Sequence, residues 1–104
     1  MLFSVKEIYQ KTEKISQLER IKVAGWVKSI RKSKEIIFII LNDGSTLANL
    51  QIIMAQKLFS PTDLPSKINF GSSLLVSGKL VLTPQRAQSC ELQVETIEFF
   101  KANQ

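Results

Sequence analysis

The chain has 104 residues, 44% hydrophobic and 22% charged, with a net charge of +5 and a sequence pI of about 9.6. That length carries one hydrophobic core, no stretch approaches the ~20 apolar residues that cross a bilayer, and a lone Cys90 allows no internal disulfide. With no histidine, a Ser-His or Cys-His nucleophile is excluded and a zinc site lacks its usual ligands, so no catalysis is expected within these residues. Glu7 comes too early for a signal peptide, and the expected setting is soluble and cytoplasmic.

Ser4 followed by Glu7 forms a capping-box pattern, and Val5, Ile8 and Tyr9 recur at helical spacing. A short amphipathic helix is predicted from Val5 into the Thr12 region; the polar residues 11–19 fit helix or loop. From Ile21 the period changes to two, with Ile21 and Val23 flanking Lys22. The first strand runs to about Ser33, with Gly25 as its expected bulge or bend and Trp26 expected to pack in the core. Residues 36–41 form a second strand. Asn42-Asp43-Gly44-Ser45 is a strong turn signal. The third strand is expected over 47–54, apolar at Leu50, Ile52 and Met54. Residues 56–71 hold Pro61, Pro65 and Gly71, with helical turns expected at 57–59 and 64–68. Strand patterning resumes over 73–82 and, after a polar loop at 83–88, over 91–99.

Helix, three strands, a longer helical connection and two strands predict an all-β, five-stranded Greek-key OB-fold barrel. Curling the strands together removes the exposed edges an open sheet would leave. An SH3-like barrel usually lacks so long a connection at that place. The expected organisation is one domain over 1–104, with residues 1–20 leading into a barrel over 21–100.

Strand two is apolar on both sides, so its period leaves the faces open. If Ile37, Ile39 and Leu41 point inward, Phe38 points outward with Ile36 and Ile40. Leu50, Ile52 and Met54 inside would put Gln51 outside. Arg31 and Lys28, near the end of strand one, would share that surface. A ring, a carboxamide and a guanidinium suit single-stranded nucleic acid: a base stacks on the ring, the amide reads an edge, and arginine pairs with phosphate or stacks. Lys28, Arg31, Lys32 and Lys34 place four positive charges in seven residues, adding salt-sensitive attraction. Against this, a phenylalanine within six apolar residues is more often core. A lysine-rich strand end is more often simply solvated, and Cys90 reads as a structural or incidental thiol.

Residues 23–31, Val-Ala-Gly-Trp-Val-Lys-Ser-Ile-Arg, resemble the first strand of the anticodon-binding domains of class IIb aminoacyl-tRNA synthetases. Ile37-Phe38-Ile39, Leu41-Asn42-Asp43-Gly44-Ser45 and Asn49-Leu50-Gln51-Ile52-Ile53 resemble the following strands and turn, and this middle block is similar to the asparaginyl branch. Residues 76–81 and 91–94 resemble the fourth and fifth strands. The resemblance implies an OB barrel that grips the anticodon loop of the asparagine tRNA. It implies Phe38 as the ring stacking on the middle uridine, Gln51 as the reader of that base, and Arg31 as an arginine at the anticodon. Gln93 falls near a fifth-strand position at the first anticodon base, where the family often has an acid; residues 83–88 are a candidate third-base reader. Class II catalytic motifs do not occur, so an excised domain is expected. ATP and Mg2+ are then implied only for a separate catalytic domain, and a homodimer for the parent protein. The competing readings are a free-standing single-strand-binding barrel and a protein-interaction barrel.

Overall fold

The computed structural model describes residues 1–59 and 67–103. Alternating burial sets the architecture. The strands are β1 (Ile21–Lys32), β2 (Ile36–Asn42), β3 (Leu50–Ala55), β4 (Ser73–Leu82) and β5 (Cys90–Lys101). They close into a barrel in the order β1-β2-β3-β5-β4. Every neighbouring pair is antiparallel except β3 with β5, which run parallel. The long β1 joins both sides of the barrel: residues 21–26 pair with β4, and 26–32 pair with β2. Ile37, Ile39 and Leu41 of β2 and Leu50, Ile52 and Met54 of β3 are wholly buried inside. The expected OB barrel is therefore observed.

An irregularity in β1 decides which of its side chains reach the outer surface. Ile21, Val23 and Val27 point inward, so an unbroken strand would send Arg31 inward too. The register instead slips between Val27 and Ser29: Val27 pairs with Leu41, and Ser29 with Ile40. Lys28 is the extra residue of a β-bulge, and beyond it Ile30 faces the core while Ser29 and Arg31 face out. The sequence expectation placed a bulge or bend at Gly25, and the register slip lies instead at Lys28. Glycine is needed at position 25 for close approach, because a Cβ would lie 2.6 Å from the Asn42 carbonyl oxygen. Trp26 also departs from expectation. It lies on the outer surface, 40% exposed, with the edge of its ring over Gly44.

Two short helices precede the barrel: α1 (Val5–Gln10), where a helix was expected, and α2 (Thr12–Ser16), within the stretch that fitted helix or loop. Each is too short to persist alone, and each is fastened by the barrel. Val5 and Ile8 of α1 and Ile15 of α2 join the core. The Ser4 hydroxyl accepts from the Glu7 amide and the Glu7 carboxylate from the Ser4 amide, completing the expected capping box. Lys79 of β4 donates its ammonium to the Leu18 carbonyl at 2.7 Å and also to the Ser16 carbonyl, closing the end of α2.

β3 begins at Leu50, later than the sequence pattern suggested, because residues 43–49 form a loop bonded to α1. Asp43 accepts from the Val5 amide at 2.9 Å, Ser45 accepts from the Lys6 amide at 3.0 Å, and the Tyr9 hydroxyl donates to the Asn49 carbonyl at 2.6 Å. Within the loop, the Asn42 side chain accepts from the Gly44 amide and donates to Asn49. Gly44 takes a φ of +79°, which a side chain would resist. A 3₁₀ turn, Gln56–Phe59, follows β3 where a helical turn was expected; the second expected turn, at 64–68, falls mainly outside the described residues.

Candidate nucleic-acid interface

Past the bulge, the pairing lines up one outer-facing residue from each of four neighbouring strands. Arg31 pairs with Phe38, Phe38 with Ile53, and Ile53 with Gln93. The next outer row is Ser29, Ile40 and Gln51. Phe38, Ile40, Gln51 and Ile53 are half-buried, whereas Arg31 and Gln93 are exposed. Together they make a shallow apolar shelf with an amide on either side and a cation at one edge.

The Arg31 guanidinium sits over the Phe38 ring, its central carbon 4.5 Å from the ring centroid. A cation–π contact at an exposed site contributes about 0.5–1 kcal/mol. That is enough to orient both side chains and little enough to be exchanged for another stacking partner.

The other sequence-predicted cations are dispersed. Lys28, carried by the bulge, borders a groove with Asn42 and Asn49. Lys32 pairs with Ile37 at the rim, where alternation puts it on the other side of β1 from Arg31, and it is exposed. Lys34 lies in the β1–β2 turn, which Ser33 braces by donating its hydroxyl to the Ile36 carbonyl and Gln56 by donating its amide to the Ser33 carbonyl. The geometry thus gathers Arg31, Phe38, Gln51 and Gln93 on one face and leaves Lys32 and Lys34 as rim charges.

Sequence reasoning passed over Glu91. It is buried, yet its carboxylate meets Arg86 at 2.7 Å, tying the β4–β5 loop to the start of β5. An arginine five residues before a glutamate was the available signal. Cys90 beside it is wholly buried. Burial raises its thiol pKa, hydrogen bonding to Ser89 opposes that, and the charge of Glu91 adds to it. A thiol so placed stays protonated and unreactive. Burial also tends to raise Asp43, but bonds from the Ser45 hydroxyl and the Val5 and Ser45 amides outweigh it and hold that carboxyl below its usual range. Among the described residues no three His, Cys, Asp or Glu side chains gather where a metal ion could be held, and no helix is long and apolar enough to cross a membrane.

A closed barrel with a stacking shelf on its β2–β3 face is the arrangement by which OB folds hold oligonucleotides. The family model for the OB-fold nucleic acid binding domain of tRNA anticodon type matches residues 21–99, and the chain belongs to that family. Among its relatives, the asparagine–tRNA ligase of Clostridium tetani is 44% identical over 94 residues, covering 90% of this chain and 20% of that protein. Human asparaginyl-tRNA synthetase is 42% identical over 80 residues, covering 77% of this chain and 16% of that protein. The solved structure of Entamoeba histolytica asparaginyl-tRNA synthetase superposes with a TM-score of 0.62 at 26% identity, over 82% of this chain and 20% of that one. The chain thus spans a fifth or less of the length of these relatives.

Proposed function

We propose that this chain is the anticodon-binding domain of an asparagine–tRNA ligase, and that it holds the anticodon loop of the asparagine tRNA on the β2–β3 face. The outward Phe38 ring beneath the Arg31 guanidinium carries the reading, on a barrel whose relatives bear that ligase name. Phe38 stacks on the middle uridine. Gln51, one row away, offers a donor and an acceptor to that base's edge. Gln93, at the far end of the Phe38 row, faces the first anticodon base. The β4–β5 loop, held by the Arg86–Glu91 pair, is where a reader of the third base is expected.

Arg31 covers one side of the ring that is to be stacked upon. A base arriving on that side displaces the guanidinium, which then pairs with a neighbouring phosphate in a charge-assisted contact. Lys28, Lys32 and Lys34 add sequence-blind attraction that weakens with salt.

ATP-dependent aminoacylation, with its Mg2+, belongs in this reading to the remaining length that such ligases have beyond the matched stretch. Among the described residues no cluster of three His, Cys, Asp or Glu side chains offers a metal ion its ligands. A cytoplasmic setting and a homodimeric parent complete the proposal.

The test is a titration of the chain with an RNA stem-loop carrying the asparagine anticodon, beside one whose middle uridine is replaced by cytidine. The uridine loop should bind more tightly. Equal affinity for the two defeats base reading.

A further inference from the structure

The row next to Phe38 holds Ser29, Ile40 and Gln51, and the outer surface continues beyond it. Ile40 and Asn42 are two residues apart on β2 and share its outer face. Past them lies a groove of about 570 Å³ bordered by Lys28, Asn42, Gly44, Thr46, Leu47 and Asn49. Three features of this groove bear on what it can hold. The bulge lifts Lys28 out of the β1–β2 pairing and leaves it exposed. Leu47 is fully exposed, at 100%. The loop carrying it is nonetheless held in place: Asn42 bonds to Gly44 and Asn49, and Asp43, Ser45 and Asn49 bond to α1. An exposed leucine on a fixed loop, bordering the same groove as a lysine, is suited to a ligand that joins an apolar face to an anion.

We infer that this groove is a second RNA subsite, which takes the nucleotide flanking the bases held on the shelf. Lys28 pairs with its phosphate, and Leu47 packs against its ribose or base. The inference rests on the assignment of the β2–β3 face to the anticodon loop. Continuity with the shelf and the net charge of +5 favour a nucleic acid over a protein as the occupant. OB folds engage roughly 4–16 nucleotides, a reach that leaves room for a nucleotide beside the three anticodon bases.

The experiment follows backbone amide signals of the whole chain by NMR while it is titrated with the asparagine-anticodon stem-loop and, separately, with the bare anticodon trinucleotide. The stem-loop should shift Phe38, Gln51, Lys28 and Leu47, and the trinucleotide only Phe38 and Gln51. Leu47→Ser, at a side chain with no buried surface to lose, should weaken stem-loop binding several-fold and leave the trinucleotide unaffected. Lys28→Gln should reduce the log-log salt slope for the stem-loop by about 0.7. Unchanged stem-loop affinity in both variants overturns the inference, as does an equal loss with both ligands. A change confined to self-association by light scattering also overturns it and makes the groove a protein contact. The anticodon reading fails separately, through unchanged binding in Phe38→Ala.

Discussion

On the inner face of β2, Ile37, Ile39 and Leu41 have no exposure at all, and each lies opposite another buried side chain. On the outer face of the same strand, Ile36 and Phe38 keep solvent contact, and a guanidinium lies over the Phe38 ring. The residue types are nearly the same on both faces. What separates them is parity and the register of the neighbouring strands. The inner face is committed to the fold, while the outer face holds surface that a ligand can still bury. Apolar character alone does not distinguish a core from a binding shelf.

The largest expected effect probes that distinction from the inside. Ile39→Ala removes buried methyl groups from a closed interior and should cost about 2–5 kcal/mol of stability, measured by urea denaturation. One residue away, Phe38→Ala should cost about 1–3 kcal/mol of RNA binding and distinctly less stability than Ile39→Ala. A Phe38→Ala variant that melts like Ile39→Ala but binds RNA unchanged erases the difference between the faces.

The bulge explains how much of this could be read from the chain. Five strands and their succession along the chain were legible, but β2 is apolar on both faces, so Phe38 could be placed outward only on the condition that Ile37, Ile39 and Leu41 point inward. The slip at Lys28 was not legible. Glycine advertises irregularity, and Gly25 drew the expectation, but its role is to let the Asn42 carbonyl approach. Lysine carries no such signal, and the slip shows only in the paired strand, where Ser29 rather than Lys28 faces Ile40. Trp26 was misplaced because its environment comes from Gly44, eighteen residues away in sequence. The second helix and the late start of β3 were illegible for a related reason. Both depend on hydrogen bonds between distant segments: Lys79 to Ser16 and Leu18 at the end of α2, and Val5 to Asp43 and Tyr9 to Asn49 before β3.

A smaller effect sharpens the contrast between the shelf and the pinned loop beside it. The two oxygens of Asp43 accept from the Val5 amide and from Ser45. In Asp43→Asn only one end of the side chain can accept, so the loop or the helix loses its bond, at about 1 kcal/mol. Because the folded-state pKa of Asp43 lies below its ordinary value, its contribution is present above the unfolded pKa, about 3.9. It is lost as pH falls through the folded value. Thermal melts should therefore separate wild type from Asp43→Asn near neutrality and converge below about pH 4. A gap that persists in acid shows that shape, not charge, holds the loop.

The smallest effect lies at the rim. Lys32 is exposed and, by alternation, on the opposite side of β1 from Arg31, so it is not placed to touch a base on the shelf. Its contribution is then attraction to phosphate alone, which is sequence-blind and depends on counterion release. Lys32→Ala should weaken binding of the uridine and cytidine stem-loops by the same small factor and reduce the log-log salt slope by at most about 0.7. Arg31→Ala, by contrast, should alter the ratio between the two loops, because Arg31 touches the ring on which the middle base stacks. If Lys32→Ala changed that ratio as strongly as Arg31→Ala, base reading would extend past the shelf to the rim, and the bulge would no longer mark the difference between an arginine that helps to select and a lysine that only attracts.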